Sequence, residues 1–317
     1  MAARRASRPL LTFVAVCLFA GGIYLGTRLA EPPPRPRFPP EEEVIHDAHL
    51  DHQPSRNDGQ RMAASTAVKT DAPPPEPAGA PAAVRQPPPA AGTNPRIAIV
   101  IDDLGRGLGS IDALLALGEP LTYAVLPFES DTPRVVGRLR EAGAEILLHL
   151  PMEARGKNDP GPGALLLAMS RGELQAETRS ALAAVPGATG VNNHMGSALA
   201  ADARAMEAVL EVLKEDGLYF LDSRTAADTQ GYAVARRLGL PAGERQVFLD
   251  NERDTAAIAA QLQALFELAR SRGGAIAIAH PYAETLSALR SELPKAKAAG
   301  IEVVPASQLL DRRPPAD

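Results

Sequence analysis

The chain has 317 residues, a formal net charge of -5, 30 prolines and no tryptophan, with 45% hydrophobic and 22% charged residues. An acidic chain of this kind lacks the basic face that displaces counterions from phosphate, which excludes a nucleic-acid binder first. A single cysteine, Cys17, excludes an intrachain disulfide and leaves the rest of the chain no thiol for catalysis or metal binding.

Residues 1–30 read as a membrane anchor or signal segment. Leu10–Thr27 carries no charge and Arg4, Arg5 and Arg8 precede it; an apolar helix of about 18–20 residues just crosses a hydrocarbon core, and the basic flank stays in the cytoplasm. An uncleaved inner-membrane anchor would hold the folded part in the periplasm. A cleavable signal is the competing reading, although Arg28-Leu29-Ala30 fits the small-residue rule for cleavage poorly. Residues 31–95 hold 16 of the 30 prolines, so this segment is expected to be a disordered, extended spacer. His46, His49 and His52 fall inside it; a metal-binding tract is conceivable, but solvated spacer histidines are the plainer reading.

From residue 96 to 311 short aliphatic runs alternate with longer amphipathic segments, leaving 312–317 as a tail. The strand candidates are Ile97–Asp102, Leu121–Leu126, Glu145–His149, Ala188–Asn192, Tyr219–Asp222, Gln246–Asp250, Ala275–His280 and Ile301–Val304. Helix starts are marked by the capping pair Ser170 and Glu173, by Asp202 and by Asp254. Gly143, Gly217, Gly273 and Gly300 stand where helices should end. Runs that are apolar throughout, such as Ile97–Ile101, imply strands buried on both faces and therefore a parallel sheet covered by helices. Eight βα units suit a distorted α/β barrel of seven or eight parallel strands better than an open doubly wound sheet, though periodicity alone leaves both open. Arg106-Gly107-Leu108-Gly109 lacks the dinucleotide glycine spacing and follows two carboxylates that would repel a pyrophosphate.

His149, His194 and His280 are the histidines of this region, and each stands at or just beyond the C-terminal end of an expected strand. That is the face on which βα barrels gather active-site residues. Asp102, Asp103, Asp222 and Asp250 join them. Singly, such residues cap helices; together, the carboxylates repel one another unless protons or a cation compensate. Two imidazoles and a carboxylate with an open position make a hydrolytic zinc site. Alternation along a strand would point Asp102 and Asp103 to opposite sides, so that one ligates and the other reaches the water.

The segments VIDDLG (Val100–Gly105), EILLHLPME (Glu145–Glu153), GVNNHMGS (Gly190–Ser197), FLDSRT (Phe220–Thr225) and AIAHPYAET (Ala277–Thr285) together resemble the divergent polysaccharide deacetylases, a branch of the metal-dependent polysaccharide deacetylase superfamily. The resemblance spans residues 96–311. It implies a general base at Asp102, metal ligands at Asp103 and His149, and a general acid at His280. Glu153 stands where that superfamily has a second histidine. Either Glu153 ligates, or His194 supplies the third ligand, the favoured alternative. Asp222 would orient His280, and Asn192 or Asn193, with Glu153, would contact the substrate. The reaction implied is metal-dependent removal of acetyl groups from a cell-envelope polysaccharide or related glycan, with zinc as the expected divalent ion. A non-catalytic module that binds glycan or an envelope protein is the alternative, and a metal-dependent phosphoesterase is not separated by ligand types. With aromatic residues at 4%, the candidates for stacking a sugar are Tyr123, Phe128, Tyr219, Phe220 and Tyr282, the phenylalanines being expected in the core.

Overall fold

The computed structural model describes residues 94–312. The expected anchor, the proline-rich spacer with its three histidines and the tail after Arg312 lie outside the described residues. Among the described residues no helix is long and apolar enough to cross a membrane.

Strands and helices alternate as β1 (Arg96–Leu104), α1 (Gly109–Leu115), β2 (Thr122–Val125), α2 (Thr132–Glu141), β3 (Glu145–Met152), α3 (Arg171–Ala184), β4 (Gly190–Met195), α4 (Ala203–Glu215), β5 (Tyr219–Asp222), α5 (Gly231–Leu238), β6 (Ala242–Glu244), β7 (Val247–Phe248), α6 (Thr255–Arg272), β8 (Gly274–Ala279), α7 (Ala283–Ala298) and β9 (Glu302–Val303). The expected helix starts hold. Ser170 and Glu173 close a reciprocal capping box on α3, and Asp202 and Asp254 each accept two backbone N–H groups at the starts of α4 and α6. The four expected terminating glycines all have positive φ.

All strand pairings within the sheet are parallel, in the order β6-β5-β4-β3-β2-β1-β8-β7, with β9 beside β1. Among the described residues no pairing joins β6 to β7, so the sheet curls into an incomplete barrel, less closed than the sequence suggested. The dipeptide between them bridges the seam: Arg245 N donates to Asp222 O on one side and Gln246 N to Ile276 O on the other. Strand β6 escaped the sequence reading because Ala242-Gly243-Glu244 has no β-branched residue. Its glycine serves packing, since a Cβ at Gly243 would stand 3.1 Å from both Ile276 Cδ1 and Leu310 Cδ2.

The strands alternate between two cores. Ile97, Ile99, Ile101, Tyr123, Ile146, Leu148, Val191 and Phe220 face outward under the helices. Ala98, Val100, Ala124, Leu147, Tyr219, Leu221, Ile276 and Ile278 face inward, where Ala306 also packs. This two-residue period assigns every strand-end residue to one face or the other. The base of the interior is plugged by the segment after β9. Glu145 Oε1 accepts from Thr122 Oγ1 (2.8 Å), the Tyr219 hydroxyl (3.0 Å) and Ser307 N (3.2 Å), and Thr122 Oγ1 in turn accepts from Ala306 N (2.9 Å). The chain enters at Arg96 and returns to the same end, where Asp311 bridges to Ala242 at the start of β6.

Candidate metal centre

At the opposite end the inward columns of β1, β3, β4 and β8 terminate in polar side chains. Asp102 follows Ala98 and Val100 on β1; His149 follows Leu147 on β3; Asn192 and His194 follow Gly190 on β4; His280 follows Ile276 and Ile278 on β8. The β3–β4 register sets His149 opposite Asn192 and Pro151 opposite His194, which brings the imidazoles of adjacent strands together.

Asp103 belongs by alternation to the outward face, yet it joins the cluster. Its φ is 59°, and the β1–β2 register slips between Ile101 and Leu104. The alternation expected of the adjacent aspartates is thus broken by a left-handed residue, a conformation costly for a non-glycine residue that tends to persist at functional sites. Met195 and Arg224, at the ends of β4 and β5, have the same sign of φ.

Three candidate ligand atoms converge. Asp103 Oδ1 lies 3.1 Å from His149 Nε2 and 2.9 Å from His194 Nδ1, and the two ring nitrogens are 3.1 Å apart. Ligand atoms bonded to one zinc-sized ion at about 2.0–2.2 Å stand roughly 3.0–3.5 Å from one another. Asp103 Oδ1 is also buried without any contact of hydrogen-bond geometry, which for a carboxylate oxygen calls for an unseen partner. Nitrogen and oxygen donors in this number suit a zinc-like divalent cation with an open position, and these three residues form a group that could hold a metal ion. Burial raises the pKa of Asp103, but His149 and His194 outweigh it and hold this carboxylate well below the usual range.

Glu153 is not in the group. Its Oε2 accepts from Leu167 N at 2.6 Å, and its backbone carbonyl accepts from Ala198 N and Leu199 N. It fastens the loop after β3, so as third member of the candidate ligand group Glu153 gives way to His194.

Two further groups flank the triad. Asp102, 4% exposed, places Oδ2 3.6 Å from His149 Nε2; burial raises its pKa against the opposing pull of His149 and His280. His149 is itself raised, since Asp102 and Asp103 outweigh its burial. His280 Nε2 stands 3.6 Å from Asp103 Oδ2. Burial lowers its pKa, but the Asp250 hydrogen bond and the charges of Asp103, Asp250 and Asp102 push it up to about 9.

The partner of His280 is Asp250, not Asp222. Asp250 Oδ1 lies 3.0 Å from His280 Nδ1, while Oδ2 accepts from His280 N at 2.6 Å and Thr285 Oγ1 at 2.8 Å. Strand register explains it: Phe248 pairs with Ile278, and two residues onward Asp250 meets His280. Asp222 follows the outward Phe220 and, fully buried, accepts from Arg224 N, Thr229 Oγ1 and Tyr232 N, ordering the loop after β5. Asn193 is outward as well. It accepts from Ser223 N and donates to Met195 O, so at 1% exposure it cannot meet a substrate. Asn192 is equally enclosed at 0% and contacts Asp102 and His149 instead. The period-two pattern would have separated Asp250 from Asp222 and Asn193 in the sequence.

Of the aromatic candidates, Tyr123, Tyr219 and Phe220 are core residues. Phe128 is 40% exposed, against the expectation for it, and lies over Gly163, where a Cβ would strike its ring. Tyr282 stacks beside His280 (centroids 5.4 Å apart) and carries the Arg253 guanidinium 3.9 Å from its ring centre.

A sequence profile described as divergent polysaccharide deacetylase matches residues 99–310. The uncharacterised YibQ of Escherichia coli K12 is 36% identical over 219 residues, which cover 68% of this chain and 67% of that protein. An uncharacterised Haemophilus influenzae protein is 35% identical over 201 residues, 62% of this chain and 71% of its own. The crystal structure of an uncharacterised protein from Agrobacterium tumefaciens C58 matches with a TM-score of 0.66 at 30% identity, covering 71% of this chain and 92% of that one.

Proposed function

The chain belongs to the divergent polysaccharide deacetylase family, and we propose that it is a metal-dependent hydrolase removing N- or O-acetyl groups from a cell-envelope polysaccharide or related glycan. The observation that carries this reading is the convergence of Asp103 Oδ1, His149 Nε2 and His194 Nδ1 between a buried carboxylate and a carboxylate-tethered imidazole. A divalent cation of the zinc type, held by those three residues, would supply Lewis acidity to the acetyl carbonyl and make water more acidic.

The chain's own groups supply the proton transfers. Asp102 takes the proton of the attacking water, and its burial raises its basicity toward the range a general base needs. The water oxygen bonds to the acetyl carbon, and the bond from that carbon to the sugar nitrogen or oxygen breaks. His280, with Nδ1 tied to Asp250 and a pKa pushed up to about 9, is protonated at neutral pH and delivers its proton from Nε2 to the departing amine or alcohol. Phe128, 40% exposed, offers aromatic surface for a sugar face. The charge-free run Leu10–Thr27 behind Arg4, Arg5 and Arg8 supports placing this activity on the periplasmic side of the inner membrane, with that run as the anchor.

The test is a screen of acetylated amino sugars, acetylated xylosides and phosphate esters with zinc-loaded and chelated protein. Acetate release that needs the metal and disappears in His280→Ala with zinc still bound is the expected result. Release of phosphate instead would replace the reaction, and no turnover of any substrate would leave a glycan- or protein-binding module.

A further inference from the structure

One buried side chain links the proposed base to a proposed ligand. Asn192 Nδ2 donates to Asp102 Oδ1 at 2.8 Å and to Ser223 Oγ at 3.4 Å, while Asn192 Oδ1 lies 2.9 Å from His149 Nδ1. These contacts use both amide hydrogens and the carbonyl. They also admit one orientation of the amide, because turning it over would set its carbonyl against the Asp102 carboxylate, which has no hydrogen to give when ionised. With the carbonyl facing His149, the proton on that ring must sit on Nδ1. In the neutral ring Nε2 then presents a lone pair to the point shared by Asp103 Oδ1 and His194 Nδ1.

We propose that Asn192 is a positioning residue with two ends: its carbonyl fixes the His149 tautomer that can bind a metal, and its amide holds the Asp102 carboxylate beside the same centre. This rests on the metal-dependent reading above. A polar residue kept only to fill a buried site would give neither effect, and partners of metal-bound imidazoles typically change metal affinity by about 10–100-fold when removed. The β4 register makes the link inevitable, since Asn192 is the residue paired with His149.

The experiment measures zinc affinity by competition with a chromophoric chelator in the full chain, alongside the ring-nitrogen resonances of His149 in zinc-loaded protein. Asn192→Leu removes both ends and is expected to weaken zinc binding about 10–100-fold. Asn192→Asp keeps an acceptor toward His149 but replaces the amide donor at Asp102 with a second acid that competes with it for a proton; its affinity should remain within about threefold of the parent while turnover falls. The unaltered protein should show His149 protonated at Nδ1 and bound through Nε2, a readout that needs no variant to fold. Parent-like affinity in Asn192→Leu, equal losses in both variants, or a His149 proton on Nε2 would each overturn the role of Asn192 while leaving the metal centre standing. Failure of the unaltered protein to bind zinc would overturn both.

Discussion

The two ends of the barrel interior treat a partly buried acid in opposite ways. At the base, Glu145 Oε1 is surrounded by two hydroxyl donors and a backbone N–H. At the mouth, Asp103 Oδ1 is surrounded by imidazole nitrogens and has no hydrogen bond. Both ends are built on the same β3 column, which starts at Glu145 and reaches His149 four residues later. The comparison separates an acid whose partners complete the fold from one that stands among candidate ligand atoms. Satisfied buried polar groups hold structure together, whereas an orphaned one calls for an explanation.

The largest expected effect comes from breaking the mouth. His149→Ala should weaken zinc binding by about 1,000-fold, near 4 kcal/mol, because loss of a ligand exceeds the loss of a ligand's partner. Isothermal titration or chelator competition measures it. Zinc affinity unchanged within a factor of ten would show that the convergence of the triad is not a metal site.

Next in size is Asp222→Ala, at the same end of the barrel but on the outward face. Three donors lose their acceptor in a fully buried position, so unfolding in urea should come about 3 kcal/mol easier. Zinc affinity should stay within twofold. A large loss of affinity would mean that facing, rather than distance along the strand, is the wrong criterion.

The base is sharpened by Glu145→Gln, which keeps an acceptor oxygen but removes the charge. A decrease of about 1.5 kcal/mol in unfolding free energy is expected, with metal binding untouched. The smallest effect, about 1 kcal/mol, belongs to Asp202→Ala, which deprives Arg204 N and Ala205 N of their cap on α4. A shift of the thermal midpoint without any change in zinc affinity checks that helix ends and mouth are energetically separate.

Much of this was legible in the sequence. The alternation of aliphatic runs and capped helices marked eight of the nine strands, and the histidines at strand ends marked the mouth. The group of Asp103, His149 and His194 was within reach only through the family resemblance, which implied Asp103 and His149 as ligands and left His194 or Glu153 as the third. What escaped has physical reasons. Ala242–Glu244 becomes a strand through its neighbours, not its propensity. Asp222 and Asn193 share the right height with the site but point under the helices, so height alone misassigned them. Asp250 was visible as a strand-end acid, but its role needed the pairing of β7 with β8. Asp103 is the reverse case: alternation places it outside, and only its left-handed backbone turns it in.

The return of the polypeptide to the base at Asp311, the end at which Arg96 opens the barrel, has a practical consequence. A reporter fused to either terminus of the folded unit, or a bead coupled there, would leave the opening unobstructed for large soluble ligands. Immobilised preparations should therefore keep the mouth as accessible as it is in the free protein.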